Sequence, residues 1–63
     1  MTIGTKLKAA REHSGMTQEQ LADKCDVDRT HIVNIEHDRS APSLGLLAKI
    51  AKVLKTTSGE LLP

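Results

Sequence analysis

Arg29, Thr30, Val33 and Asn34 are the residues of this sequence whose types and spacing carry a definite chemistry. Arginine can donate in parallel to O6 and N7 of guanine, asparagine can exchange two hydrogen bonds with N6 and N7 of adenine, and threonine or valine can seat against a thymine methyl. Suppose that residues 28–37 are helical, with Ile32 at zero. At about 100° per residue, Arg29, Val33, His37, Thr30 and Asn34 then fall at about 60°, 100°, 140°, 160° and 200°. Ile32 and Ile35 define an apolar side, so those five residues form a stripe turned away from it. The solvated face of any amphipathic helix has the same pattern. Val33, apolar and β-branched at the centre of the stripe, is the residue that a purely solvated face does not require.

Other chemistries find less support. Cys25 can be paired on paper with His13, His31 or His37 as nucleophile and base, but it shares a helical face with Leu21 and reads as core filler. His31 and His37, six residues apart, stand about 240° around a helix from each other, about 120° by the shorter way, too far to share a metal ion. A single cysteine excludes an internal disulfide and a Cys-rich zinc site. No catalytic residue, metal or cofactor is expected, and 63 residues leave little room for a substrate pocket beside a core.

The elements that must position the stripe follow from composition and punctuation. Two domains would each need about 50 residues or more, so residues 1–63 read as one. The residues are 38% apolar with no Phe, Tyr or Trp, which suits packed helices and disfavours a β-sandwich. Thr2 is the expected cap of a first helix carrying Ile3, Leu7 and Ala10, with Gly15 as its left-handed stop. Thr17 and Gln20 form a capping-box pattern ahead of a second helix that turns Leu21, Ala22 and Cys25 inward. Asp28 is the expected cap of the third, which ends near His37-Asp38. Ser43, after Pro42, opens a fourth helix with an inward stripe of Leu44, Leu47, Ile50, Ala51 and Leu54. Thr57 and Glu60 repeat the capping box before a last turn that returns Leu61 and Leu62 to the core.

Charge is nearly balanced at +1, which does not by itself announce a polyanion ligand. Its distribution is uneven: residues 1–11 carry +3, residues 12–38 carry −5 and residues 39–63 carry +3. No apolar run reaches the roughly 18 residues of a membrane span, and the first residues lack a signal-peptide core. A cytoplasmic protein without membrane contact is expected.

The run Thr17-Gln18-Glu19-Gln20-Leu21-Ala22-Asp23-Lys24, continued by Asp28-Arg29-Thr30-His31-Ile32 and Ile35-Glu36, resembles the helix-turn-helix of the phage repressor and Cro-type family, also called the xenobiotic-response-element family. Pro42-Ser43-Leu44, Leu47-Ala48-Lys49-Ile50-Ala51 and Glu60-Leu61-Leu62 resemble its fourth and fifth helices. The resemblance covers essentially the whole chain. It implies an all-α, λ-repressor-like bundle of five short helices, with the helix-turn-helix at about residues 17–37, that binds double-stranded DNA with helix three in the major groove. Carried across, Arg29, Thr30, Val33, Asn34 and, at the helix end, His37 match base-reading positions. Gln18, Arg39, Ser40, Ser43 and Lys6 match positions that meet the phosphate backbone. Arg11 and Glu36 match an ion pair that ties helix one to helix three in relatives.

A small transcriptional repressor acting on a palindromic operator as a homodimer is the function so implied. The alternative is an antitoxin-like adaptor that keeps the fold but contacts a protein; a steep salt dependence of duplex binding separates the two. Leu46, Val53 and Leu62 can serve either as a dimer patch or as the rest of the core. The sequence departs from the family at Asp26, Asp38 and Lys55, where glycine is usual. Aspartates near the proposed DNA face imply modest affinity.

Overall fold

A computed structural model describes residues 1–62 of the chain. Five helices make up the fold: α1 (Ile3–His13), α2 (Gln18–Cys25), α3 (Arg29–Glu36), α4 (Leu44–Val53) and α5 (Ser58–Leu61). No strand occurs among the described residues.

Four of the helices start where a hydroxyl side chain satisfies an otherwise orphaned amide. Thr2, Thr17, Ser43 and Thr57 sit in extended backbone and accept from Thr5, Gln20, Leu46 and Glu60 N–H, each cap contributing about 1 kcal/mol. Thr17 and Gln20 complete a capping box, since the Thr17 amide also donates to Gln20 Oε1 at 2.9 Å. Thr57 makes only half of one, and the Glu60 side chain stays in solvent. Asp28 stands at the cap position of α3 without a side-chain cap bond. Its carbonyl accepts from His31 N–H at 3.0 Å, so the backbone alone starts this helix, while the exposed carboxylate still complements the positive helix end.

The first four helices end in one way. A residue in left-handed conformation follows each, namely Gly15 (φ 74°), Asp26 (58°), Asp38 (60°) and Lys55 (58°). The next amide then reaches back five residues: Met16 to the Arg11 carbonyl, Val27 to Ala22, Arg39 to Asn34 and Thr56 to Ala51, at 2.8–3.2 Å. These are Schellman-type closures, a geometry that glycine adopts most readily. Three of the four use another residue, which explains the departures from glycine: the turns are kept and only their side chains differ.

Leu7 of α1, Leu21 and Cys25 of α2, Ile32 and Ile35 of α3, Leu47 and Ile50 of α4 and Leu61 of α5 close a common core. Two expectations fail at its edge. Leu44 is 82% exposed, and Leu46 at 9% takes its place. Leu44 is the first residue of α4, and helical side chains lean toward the N-terminus, so it overhangs the helix end instead of facing α2 and α5, on which α4 packs. Leu62 is 40% exposed, because the chain has left α5 in extended conformation by that point. Leu46 belongs to the monomer core, and Val53, half-buried, packs against it, so of the two roles open to them the core is the one this fold uses.

The start of α1 lies directly on the end of α3. A Cβ on Gly4 would come within 2.7 Å of the Glu36 carbonyl and would collide with that of Ile35. Glycine is required there for close approach. The contact places the amide-rich end of one helix against the carbonyl-rich end of another, the favourable pairing of helix dipoles.

Candidate nucleic-acid interface

Helix α3 is fixed from within by Ile32, Ile35 and Glu36, all buried. Arg29, Thr30 and His37 are exposed, and Val33 and Asn34 are half-buried on the same outward side. The five candidate base readers thus share a face that no other helix covers completely. His31 is half-buried on the flank. At the end of the helix, His37 Nδ1 lies 3.0 Å from the Val33 carbonyl, which holds its ring against the last turn.

A buried polar cluster sets the angle of this helix. Arg11 Nε is 2.6 Å from Glu36 Oε2 and its second terminal nitrogen is 3.2 Å from Oε1, a forked pair with side chains 9% and 2% exposed. The remaining terminal nitrogen donates to the Met16 carbonyl at 2.7 Å, so one guanidinium joins α1, the turn before α2, and α3. The hydrogen bond to Glu36 raises the pKa of Arg11, and burial opposes it. Gln18 Nε2 donates to Glu36 Oε1 at 3.1 Å. The cluster leaves no buried side-chain nitrogen or oxygen unpartnered among the described residues.

The backbone-contact candidates divide. Arg39 and Ser40 are exposed in the loop after α3. Ser43 is exposed too, but its oxygen already accepts from the Leu46 amide at 3.1 Å, which leaves its hydroxyl proton to donate. Gln18 is tied by its side chain to Glu36, so a free N–H of that amide and its own main-chain amide, in the first turn of α2, remain. Lys6 is drawn elsewhere: its ammonium donates to the Leu62 carbonyl at 2.7 Å, at the α1–α5 side of the fold.

Two features were out of reach of the sequence. Glu36 was readable as a partner of Arg11 through resemblance, but nothing local signals its bond to Gln18. Asp38 accepts from Thr2 Oγ1 at 2.7 Å and from the Gly4 amide at 3.2 Å, partners more than thirty positions away. The aspartate in a turn where glycine is easier was the available hint. Cys25 is a buried free thiol whose pKa burial raises, with Lys49 pulling the other way. Among the described residues no group of three His, Cys, Asp or Glu side chains is placed to hold a metal ion.

Comparison with known proteins turns this geometry into a family assignment. The helix-turn-helix family profile matches residues 7–61. The chain belongs to the helix-turn-helix family. It is 43% identical over 54 residues, or 86% of its length, to the immunity repressor of Bacillus phage phi105, and 31% identical over 98% of its length to the regulator ImmR of Bacillus subtilis. The chain spans only 38% and 49% of those two proteins. It also superposes on SinR, a master regulator of biofilm formation solved in complex with DNA, with a TM-score of 0.92 and 30% identity, covering 98% of this chain and all of that one. The matched region of this helix-turn-helix chain therefore includes α2, α3 and both caps between them.

Proposed function

We propose that the chain binds double-stranded DNA as a transcriptional repressor, with α3 lying in the major groove. Arg29, Thr30, Val33 and Asn34 read base edges, and His37 contributes at the helix end. Arg39, Ser40, Ser43 and the first turn of α2 at Gln18 meet phosphates. One observation carries this: α3 commits Ile32, Ile35 and Glu36 to the interior and leaves its hydrogen-bonding side chains outward. The name of its phage relative supports a repressor, and SinR, solved in complex with DNA, supports DNA as the ligand.

A palindromic operator and a homodimer fit the dimensions. Two-fold DNA readers set their recognition helices about one turn of DNA, about 34 Å, apart, and a chain 24 Å across is small enough for two copies to sit side by side over that span. Exposed Leu44 and Leu62 remain as candidate apolar contacts for the second copy. The reading includes no enzymatic activity and a cytoplasmic location; no helix among the described residues is long and apolar enough to cross a membrane.

The test is selection of bound duplexes from a random pool, followed by fluorescence anisotropy across a salt series. A two-fold symmetric consensus and a steep salt slope are expected. Arg29→Ala and Asn34→Ala should each lose about 1–3 kcal/mol of discrimination at one base position, whereas Arg39→Ala should weaken binding to selected and random duplexes alike. Failure to enrich any sequence, with no binding to random duplex at low salt, refutes the reading.

A further inference from the structure

The residue that follows the recognition helix is anchored twice. Its main chain closes α3: Asp38 is left-handed, and the next amide, that of Arg39, donates to the Asn34 carbonyl at 2.8 Å. Its carboxylate reaches across the bundle, where Oδ2 accepts from Thr2 Oγ1 at 2.7 Å and Oδ1 from the Gly4 amide at 3.2 Å. The turn itself does not require that carboxylate. Lys55 occupies the equivalent position after α4 with nearly the same φ and an exposed side chain, and glycine suits such a position better than either. What aspartate adds is therefore the bond to α1, at the positive end of an eleven-residue helix.

The anchor sits one residue before Arg39 and Ser40. Both are exposed. An open cleft of about 410 Å³ separates Met1–Ile3 from the loop of residues 39–42. Asp38 stands at the head of that loop and its bond to Thr2 joins the two walls, while its bond to Gly4 lies outside the cleft. We infer that Asp38 is a positioning residue for DNA binding: tied to Thr2 and Gly4, it holds Arg39 and Ser40 where they meet a phosphate, and it sets affinity for duplex DNA without reading sequence. This rests on the DNA-binding reading above.

Charge alone demands the opposite. An aspartate beside a polyanion repels it, so its removal should tighten binding. Two variants of equal charge separate the effects. Asp38→Asn loses the charge, tolerates left-handed φ, and keeps an acceptor for Gly4 and a donor for Thr2. Asp38→Gly loses the charge and both bonds while fitting the turn best. By anisotropy, Asp38→Asn should bind at least as tightly as the unsubstituted chain. Asp38→Gly should bind about tenfold more weakly than Asp38→Asn, on selected and random duplexes equally.

In a background of Arg39→Ala and Ser40→Ala the gap should shrink below about twofold, because Asp38 acts through those residues. Thr2→Val, which removes one of the two bonds and no charge but also the α1 cap and the stability that cap contributes, supplies a second route if Asp38→Gly fails to fold. Read at a temperature where circular dichroism shows the variant folded, it should weaken binding about threefold, again only while Arg39 and Ser40 are present. Equal affinity of the Asn and Gly variants, or a gap that survives the double-alanine background, overturns the inference even though the chain binds DNA. If the unsubstituted chain binds no duplex, the DNA-binding reading falls and this inference falls with it.

Discussion

Replacing Arg11 by methionine should unfold much of the population at temperatures where the unsubstituted chain is folded, and replacing Glu36 by leucine in the same chain should restore most of the loss. Arg11 supplies two of the three hydrogen bonds that Glu36 receives. Without them a carboxylate 2% exposed keeps only the Gln18 amide. Breaking one side of such a pair costs about 3–5 kcal/mol, against a total stability of roughly 3–9 kcal/mol for a chain of this length. The melting temperature should fall by about 20 °C.

In Arg11→Met/Glu36→Leu no buried charge is left. The surviving penalties are the Met16 carbonyl, which loses its 2.7 Å donor, an effect of about 1 kcal/mol, and the half-buried Gln18 amide, which loses its acceptor but can turn to water. The coupling energy from the double-mutant cycle should therefore be at least about 2 kcal/mol, read from urea denaturation followed by circular dichroism. It should change little between 0.1 and 1 M salt, since the pair is shielded from solvent. Because Glu36 holds the pKa of Arg11 above its ordinary value, the share due to Arg11 is fully present below that value. It disappears only as pH climbs through the raised one, so a scan from pH 6 to 9 should leave it intact. Single-variant costs below about 1 kcal/mol that simply add would show a pair behaving like surface charges and refute the argument.

Gly4→Ala should destabilise the fold by about 2 kcal/mol or more despite the better helix propensity of alanine, because the added Cβ meets two backbone carbonyls that cannot rotate away; thermal melting decides it. Lys55→Gly, at an exposed left-handed position, should raise stability by about 1 kcal/mol, and a lower melting temperature would contradict the Schellman reading of that turn. Leu46→Ala should cost about 2–4 kcal/mol and Leu44→Ala almost nothing, the reverse of what the heptad-like spacing of Leu44 suggests. For Cys25, burial raises the pKa, so the folded state keeps its proton where the unfolded chain has lost it. Stability is full below the ordinary thiol pKa, about 8.5, and declines as pH rises from there through the raised value. Cys25→Ala should flatten that decline relative to the parent in paired urea titrations from pH 8 to 10.

The fold was legible where its signals are local. A hydroxyl before a helix and a left-handed residue after it act within five positions, so Thr2, Thr17, Ser43, Thr57 and Gly15 could be read one after another along the chain. The inward faces of α2 and α3 were legible for a related reason, because eight residues in each give too few apolar positions for a second solution. α4 is apolar on more than one side. Choosing Leu46 over Leu44 then depends on where α2 and α5 lie, which no window of α4 contains. The outward stripe of α3 was visible as a pattern, yet its meaning came from resemblance, since a solvated face has the same periodicity. Bonds between distant segments, Gln18 to Glu36 and Thr2 to Asp38, left no periodic trace.

Folding also changes what the charge pattern means. Along the chain, a +3 segment precedes a −5 segment, and the acidic stretch contains α3, the helix proposed to approach a polyanion. In the fold, Arg11 from the basic segment neutralises Glu36 in the interior, and Asp38 is turned toward the amide end of α1. Two of the seven acids of that stretch are thereby occupied by internal partners. Arg29 in the first turn of α3 and Arg39 just beyond its end stay exposed. The electrostatics that a duplex would meet at α3 is consequently that of two arginines bracketing a short helix, set against the exposed carboxylate of Asp28 at its cap, a local arrangement that a net charge of +1 does not reveal and that salt titration of Arg29→Ala and Arg39→Ala would resolve residue by residue.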